Sequence, residues 1–305
     1  MKTLEKLQII KRLSGLTQEK LAKELGVSFV TLNSWINGKS KPQLSKVKNI
    51  NKLFFSVSGI QPEEGEEFDK KILILKKRNK YKSIIRHIIN RSDLYDQFVL
   101  SLTYNTNHIE GSTLSEDETA AVLFRNETIY NKSLVEHLEV KNHQTAIRFL
   151  FNELVKGNKI EEKLILKLHE ILLKGIRDDA GFYRRCGVRI VGSNAPTANY
   201  LKVPSLMADL ILEINKQPKD IISHVAYIHS RFEAIHPFSD GDGRVGRLIM
   251  SAMLILHNFP PAIVKAKEKK FYLSYLRKSQ LNNDFFDLEN FICDSVLNSY
   301  QILEN

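Results

Sequence analysis

HPFSDGDGRVGR, residues 236–247, crowds a histidine, two aspartates, glycines and two arginines into twelve positions. It is preceded by the apolar run VAYIHSRFEAI (225–235) and followed by LIMSAMLIL (248–256), both patterned at helical period. So dense a polar bend between two buried helices sets the fold class: the region is mainly α, and the bend is where its chemistry collects.

Asp240-Gly241-Asp242-Gly243 interrupts the helical pattern, and a new helix is expected from Arg244 to Leu256. Backbone N–H groups of a glycine-rich loop at a helix N-terminus select an anion. Arg244 and Arg247, three apart, share one helical face and can clamp further phosphate oxygens, so a triphosphate fits the donor count. Asp240 offers a hard oxygen ligand for magnesium bridging such phosphates, and His236 can take a proton near pH 7. Pro237 and Phe238 read as packing that fixes the loop. A metal-hydrolase set of His229, His236 and Asp240 lacks zincin spacing, and the Walker signature is absent.

The wider composition describes a globular chain: 305 residues, 43% apolar and 26% charged. The mostly apolar run Leu248 to Leu256, interrupted by Ser251, falls well short of the roughly 20 residues of a membrane span. The N-terminus MKTLEKLQIIKRL mixes charges into helical spacing instead of holding a secretion block, so a cytoplasmic protein without membrane contact is expected. Cys186 and Cys293 form no metal cluster or disulfide framework. The charge is uneven. Residues 1–60 hold eleven Lys or Arg against three Glu, a net of +8, which leaves 34 basic against 32 acidic residues for the rest. A small basic module beside a near-neutral larger one points to a polyanion partner.

Within that module, LTQEKLAKELGVSFVTLNSWINGKSKP gives two short helices hinged at Gly26, with Leu21, Ala22, Leu25, Val27, Val30, Leu32 and Trp35 as the apolar set. Thr17 and Ser28 stand where caps belong, and Asn37-Gly38 closes the second helix. The string resembles the Cro/repressor helix-turn-helix family. That resemblance implies a second helix, Ser28 to Ile36, in the major groove of double-stranded DNA, with Ser28, Phe29, Thr31, Asn33 and Ser34 facing the bases and Lys39, Lys41, Lys46 and Lys48 on phosphates. None of the facing residues is an Arg or Gln, the side chains that usually give bidentate base readout, so weak sequence specificity is expected. If DNA is bound, a homodimer is expected.

The acidic, turn-rich SGIQPEEGEEFDKK (58–71) marks a boundary. We expect a helix-turn-helix domain over 1–58, a linker and connecting helix over 59–90, and a larger domain over 91–305. Helical periodicity covers Lys70 to Asn90, Leu94 to Thr103, Glu116 to Phe124, Ser133 to Val155, Glu161 to Lys174, Ser205 to Gln217, Ile221 to Ile235, Val245 to His257 and Lys269 to Arg277. Only GVRIVG (187–192) reads as a strand or hairpin arm.

HPFSDGDGRVGR resembles the core signature of the Fic family, HxFx(D/E)GNGRxxR, complying at eleven of twelve positions. The likeness extends over about residues 90 to 300, through TNHIEG, GFYRRCGVRIVGS and VPSLMADLI. It implies an all-α Fic fold with a small β-hairpin flap, and a nucleotidyltransferase moving AMP from ATP to a Ser, Thr or Tyr hydroxyl of a target protein. On that resemblance His236 is the general base and Asp240 holds Mg2+. Gly241, Asp242, Gly243, Arg244 and Arg247 hold the phosphates, and the flap residues Val188, Arg189, Ile190 and Val191 pin the target by strand addition. Asp242 stands where the family has Asn: an ionised carboxylate cannot donate to a phosphate and adds repulsion. It is open to three readings: weaker nucleotide affinity, a second magnesium ligand, or a different nucleotide or reaction.

TNHIEG (106–111) resembles the family's inhibitory pattern Ser/Thr-x-x-x-Glu-Gly/Asn, which implies a short helix near 104–111 whose Glu110, with Thr106 at the matching position, pairs with Arg247. Inhibition would then be intramolecular, and removal of AMP is a second activity found in some relatives. The rival to this autoinhibited protein adenylyltransferase (AMPylation) is a DNA-binding transcriptional regulator whose Fic domain senses nucleotide or transfers another phosphate-bearing group.

Overall fold

A computed structural model of the chain describes residues 3–58, 65–189 and 196–304. Every described element is helical, and no strand occurs among the described residues. Two compact units form, residues 1–69 and 70–305.

In the first unit, α1 (Thr3–Leu13), α2 (Gln18–Glu24), α3 (Phe29–Ile36) and α4 (Leu44–Ser58) enclose Leu7, Ile10, Leu21, Ala22, Leu25, Leu32, Trp35, Ile50 and Phe54. The start signals act as read: Thr17 accepts from the Lys20 N–H and Ser28 from the Thr31 N–H. Gly26 takes the left-handed conformation, φ 63°, that the turn between α2 and α3 requires. Val30 departs from the expected apolar set. It is 75% exposed, because Leu32 and Trp35 alone turn the inner face of α3 into the core.

The second unit contains most of α5 (Gly65–Arg78), then α6 (Ile84–Ile89), α7 (Ser92–Glu110), α8 (Glu116–Ala120), α9 (Leu134–Val155), α10 (Glu162–Leu172), α11 (Val203–Ile214), α12 (Ile221–Ile235), α13 (Asp242–Leu256), α14 (Lys269–Asn282) and α15 (Phe286–Glu304). Residues 70–90 supply Ile74, Ile84, Ile85 and Ile88 to its core, and the helical stretch expected there is broken ahead of Ser83, which caps α6. Ser115 with Glu118 and Ser133 with Glu136 form capping boxes that fix the starts of α8 and α9. α13 is buried on nearly every face from Asp242 to Ile255, packed by α7, α9, α10 and α12. A helix apolar all round belongs at the centre.

Two departures from the expected helices matter most. α7 does not stop at Thr103: it runs unbroken to Glu110, closed by Gly111 at φ 111°, so Thr106 and Glu110 belong to the last turns of a 19-residue helix and not to a short one. α15, beyond the last expected helix, buries Leu288, Phe291, Ile292, Ser295, Val296, Ser299, Tyr300 and Leu303 at a regular helical period. No described helix is long and apolar enough to cross a membrane.

Candidate active site

α12 ends at His236, which adopts φ 50°, a left-handed conformation uncommon for a residue with a Cβ. The neighbouring structure over-determines it. Arg184, itself buried, donates from Nε to the His236 carbonyl at 2.6 Å and from Nη1 to the Cys186 carbonyl at 2.7 Å, and its Nη2 donates to the Ala198 carbonyl at 2.5 Å. Its backbone N–H donates to the Pro237 carbonyl at 2.9 Å. One guanidinium thus ties Cys186 and Ala198, on either side of the segment expected to be the flap, to the loop that starts at His236.

Phe238 is fully buried and stacks on His169 of α10, ring centroids 3.8 Å apart and 8° from parallel. His169 accepts the Gly181 N–H at Nδ1 (2.8 Å), which leaves its Nε2–H to donate to the Asp240 carbonyl (3.0 Å). Burial holds its pKa down to about 4, so this ring is neutral and serves as a fixed strut. The bend then closes on Gly241, φ 85°, where a Cβ would stand 2.8 Å from Leu173 Cδ2. α13 begins at Asp242, two residues before the expected Arg244, so Gly243 lies in its first turn with N–H groups free of intrahelical partners.

The two arginines face carboxylates. Arg247 Nη2 donates to Glu110 Oε1 at 2.5 Å, and Nε to Thr106 Oγ1 at 2.6 Å. Burial opposes charge on Glu110, but the Arg247 charge and hydrogen bond outweigh it and hold the carboxyl below its usual range. Glu110 Oε1 is 2.6 Å from where a Cβ on Gly243 would be. Arg244 Nη1 donates to Glu139 Oε1 of α9 at 2.6 Å, and its Nη2 lies 3.5 Å from Asp240 Oδ1. Glu139 has no mark in the signature. Burial pushes its pKa up, against the pull of Arg244.

Asp242 is buried and does not face the anion cradle. Its Oδ1 accepts the Phe238 N–H at 3.0 Å, and its Oδ2 lies 3.2 Å from His236 Nε2 without hydrogen-bond alignment. Burial, then the neighbouring Glu233, push its pKa well up. Burial also lowers the pKa of His236, which favours the unprotonated ring. Glu233, one turn before His236 on α12, is buried with Oε1 unpartnered among the described residues, and burial raises it to about 7.

Asp240 is half exposed at the mouth of the bend, with Oδ1 accepting the Gly241 N–H at 2.7 Å. A single open carboxylate beside an anion cradle fits magnesium, which takes one or two protein carboxylates and fills its remaining positions with phosphate oxygens and water. No cluster of three or more acidic, His or Cys ligands occurs among the described residues. In the flap segment, Gly187 to Arg189 carry no strand, and the Val188 carbonyl accepts from Thr197 Oγ1 at 2.9 Å. Ile190 and Val191 lie outside the described residues.

On the basic unit, several polar atoms of the expected base-facing helix are engaged locally. Ser28 Oγ lies 2.8 Å from Thr31 Oγ1, Asn33 Oδ1 accepts from Asn37 Nδ2 at 2.9 Å, and Ser34 Oγ lies 2.8 Å from Ser40 Oγ. Lys39 and Lys41 are exposed. Lys46, expected on phosphate, instead donates to the Gly26 carbonyl at 2.8 Å and the Leu25 carbonyl at 3.3 Å, closing the turn between α2 and α3. The Lys48 side chain lies outside the described residues.

Residues 159–254 match the Fic/DOC family and residues 7–58 the helix-turn-helix family. A probable protein adenylyltransferase of Aquifex aeolicus is 34% identical over 113 residues, 36% of this chain and 34% of that protein. A protein adenylyltransferase Fic of Nematostella vectensis is 32% identical over 102 residues, 33% of this chain and 24% of its own length. The chain thus spans about a third or less of the curated relatives it matches. Among solved structures, a Fic domain containing signaling protein from Bacteroides thetaiotaomicron superposes with a TM-score of 0.66 at 25% identity, over 77% of this chain and 97% of that one. With the bend at 236–247 lying inside the matched region, this chain carries a Fic/DOC family domain preceded by an N-terminal helix-turn-helix domain.

Proposed function

We propose that the chain is an autoinhibited protein adenylyltransferase that moves AMP from ATP to a protein hydroxyl, its own or a target's, and that residues 1–58 bind double-stranded DNA. The observation that carries this reading is the convergence at the start of α13 of a free-N–H helix terminus, two buried arginines and the His236 imidazole. In the proposed step the acceptor hydroxyl oxygen attacks the α-phosphorus, His236 takes the hydroxyl proton, the bond to the β-phosphate oxygen breaks and pyrophosphate leaves. A base must start unprotonated, and the lowered His236 pKa supports that role. Positioned donors stabilise the charge that develops on the phosphates. When bound, magnesium would neutralise phosphate charge beside Asp240.

Glu110 is the brake: its carboxylate occupies the place on Arg247 where a terminal phosphate would bind. Incubation of the purified chain with α-labelled ATP and magnesium tests both parts. Glu110→Gly is expected to raise incorporation, and His236→Ala in that background to abolish it. Unchanged labelling in the first sinks the brake, and persistent labelling in the second removes His236 as the base. Salt-sensitive retention on duplex DNA, lost on deletion of residues 1–58, tests the basic module.

A further inference from the structure

We propose that Phe29 and Val30, at the start of α3, read the C5-methyl group of thymine in the DNA major groove, so that the basic module prefers sites rich in A·T pairs. The proposal rests on the DNA-binding reading above and deepens it by naming the chemistry of the base contact.

The helix buries Leu32 and Trp35 and turns Phe29 and Val30 outward, 45% and 75% exposed. Two adjacent apolar side chains at the entry of a recognition helix are where base edges are met. Their polar neighbours have little left to offer: Ser28 caps the helix and pairs with Thr31, and Asn33 and Ser34 are engaged with Asn37 and Ser40. No Arg, Lys, Gln, Asp or Glu occurs in FVTLNSWI, so the pairings that select guanine or cytosine are missing, and Asn33, the one residue here of a type that pairs bidentately with adenine, has its Oδ1 engaged with Asn37. What this face does present is apolar surface, and the one apolar feature a base pair shows in the major groove is the thymine methyl.

Charge decides the occupant. Residues 1–60 carry a net +8, and Lys20, Lys23, Lys39 and Lys41 are exposed, so the module attracts a polyanionic duplex.

The test uses the full chain and fluorescence anisotropy with labelled duplexes of alternating dA–dT, dA–dU, dG–dC and dG–5-methyl-dC. Uracil removes only the methyl, and 5-methylcytosine restores a methyl at the same groove position without A·T shape. Binding is expected to be about fourfold weaker for each contacted methyl that is lost, about the effect of one buried carbon. The methylated dG duplex should bind more tightly than its plain counterpart. The double variant Phe29→Ala, Val30→Ser should bind all four duplexes alike while its salt slope stays that of the parent, which shows that the module still folds and grips phosphate. Equal affinity of the parent for dT and dU duplexes overturns the inference, as does a methyl preference that survives in the double variant. A double variant that dissociates from dimer to monomer in gel filtration also overturns it, since the pair is then an interface between copies. Absence of salt-dependent binding to every duplex instead fells the DNA-binding reading itself, and this inference with it.

Discussion

The Glu110 carboxylate lies against Gly243 at the start of α13: its Oε1 is 2.6 Å from the point where a Cβ on residue 243 would stand, and 2.5 Å from Arg247 Nη2. Only a glycine leaves that place open, so the missing side chain at 243 is what admits the Glu110 carboxylate. Because α7 is a 19-residue helix with Leu94, Phe98, Val99, Leu102 and Ile109 buried, Glu110 is delivered by an element of the core.

A hydrogen bond to a charged group contributes about 1.5–3 kcal/mol, so Glu110→Gly is expected to raise incorporation of labelled AMP roughly 10- to 100-fold. The pH dependence has a definite sign. Glu110 has a depressed pKa, so its pairing is complete above the ordinary value of 4.5 and is lost only as pH falls through the lower folded value. The ratio of variant to parent labelling should stay constant from pH 8 to 6 and fall only in stronger acid. A ratio that collapses between pH 8 and 6 contradicts an ion-paired brake.

Asp242→Asn separates the enzyme from its rival, the nucleotide sensor. The carboxyl faces Phe238 N–H and His236, and burial disfavours its ionised form, so an amide of the same shape meets the same neighbours. In the Glu110→Gly background, Asp242→Asn is therefore expected to change labelling by less than about tenfold, that is by less than about 1.4 kcal/mol. Intact-mass measurement of AMP adducts checks this. A parent without adduct that gains one only with Asn at 242 would mean that Asp242 disables transfer, which is the sensor reading.

His169→Phe keeps the ring stacked on Phe238 and removes the hydrogen bonds to Gly181 and Asp240. Loss of both is expected to cost roughly 2 kcal/mol, with a fall in Tm of roughly 4–8 °C in calorimetry. It should also lower labelling by freeing the Asp240 backbone. Unchanged Tm and labelling would show that stacking alone holds the bend.

The bend was legible because its chemistry is contiguous, and Glu110 because TNHIEG resembles the family's inhibitory pattern. What escaped sequence reading sits far away along the chain. His169 reads as one more core position of KLILKLHEIL, and nothing in that helix points to residue 240, 71 positions on. Glu139 reaches Arg244 across 105 positions, and Arg184 reaches His236 across 52. Long-range pairing leaves no period in a sequence. The α15 helix is a different case: its apolar residues repeat at helical period from Leu288 to Leu303, but Asp, Asn and Ser between them dilute the pattern. Val30 misled for the opposite reason, since an apolar residue in a short helix reads as core when two others already fill it.

Glu233 supplies the sharpest stability test. Its carboxyl is buried one turn before His236, has Oε1 unpartnered among the described residues, and is raised from 4.5 to about 7 by burial, then pulled down by Arg247 and up by Glu110. A raised acid contributes stability that is fully present below the unfolded value near 4.5 and is lost as pH rises through about 7. The unfolded chain releases this proton first, so between those limits each pH unit removes up to about 1.4 kcal/mol, about 3 kcal/mol in all. Glu233→Gln keeps the shape, including the contact a Cβ at Gly246 would violate at 2.6 Å, and has no proton to lose. His169, held neutral with its pKa lowered to about 4, acts with the opposite sign below pH 6.5 in both proteins and cancels in their difference. The Tm of the variant minus that of the parent is therefore expected to climb by several degrees from pH 5 to 7.5 and then level off. Parallel melting curves across that range would mean that Glu233 is ionised in the folded chain, paired with the Arg247 charge that Glu110 was taken to neutralise.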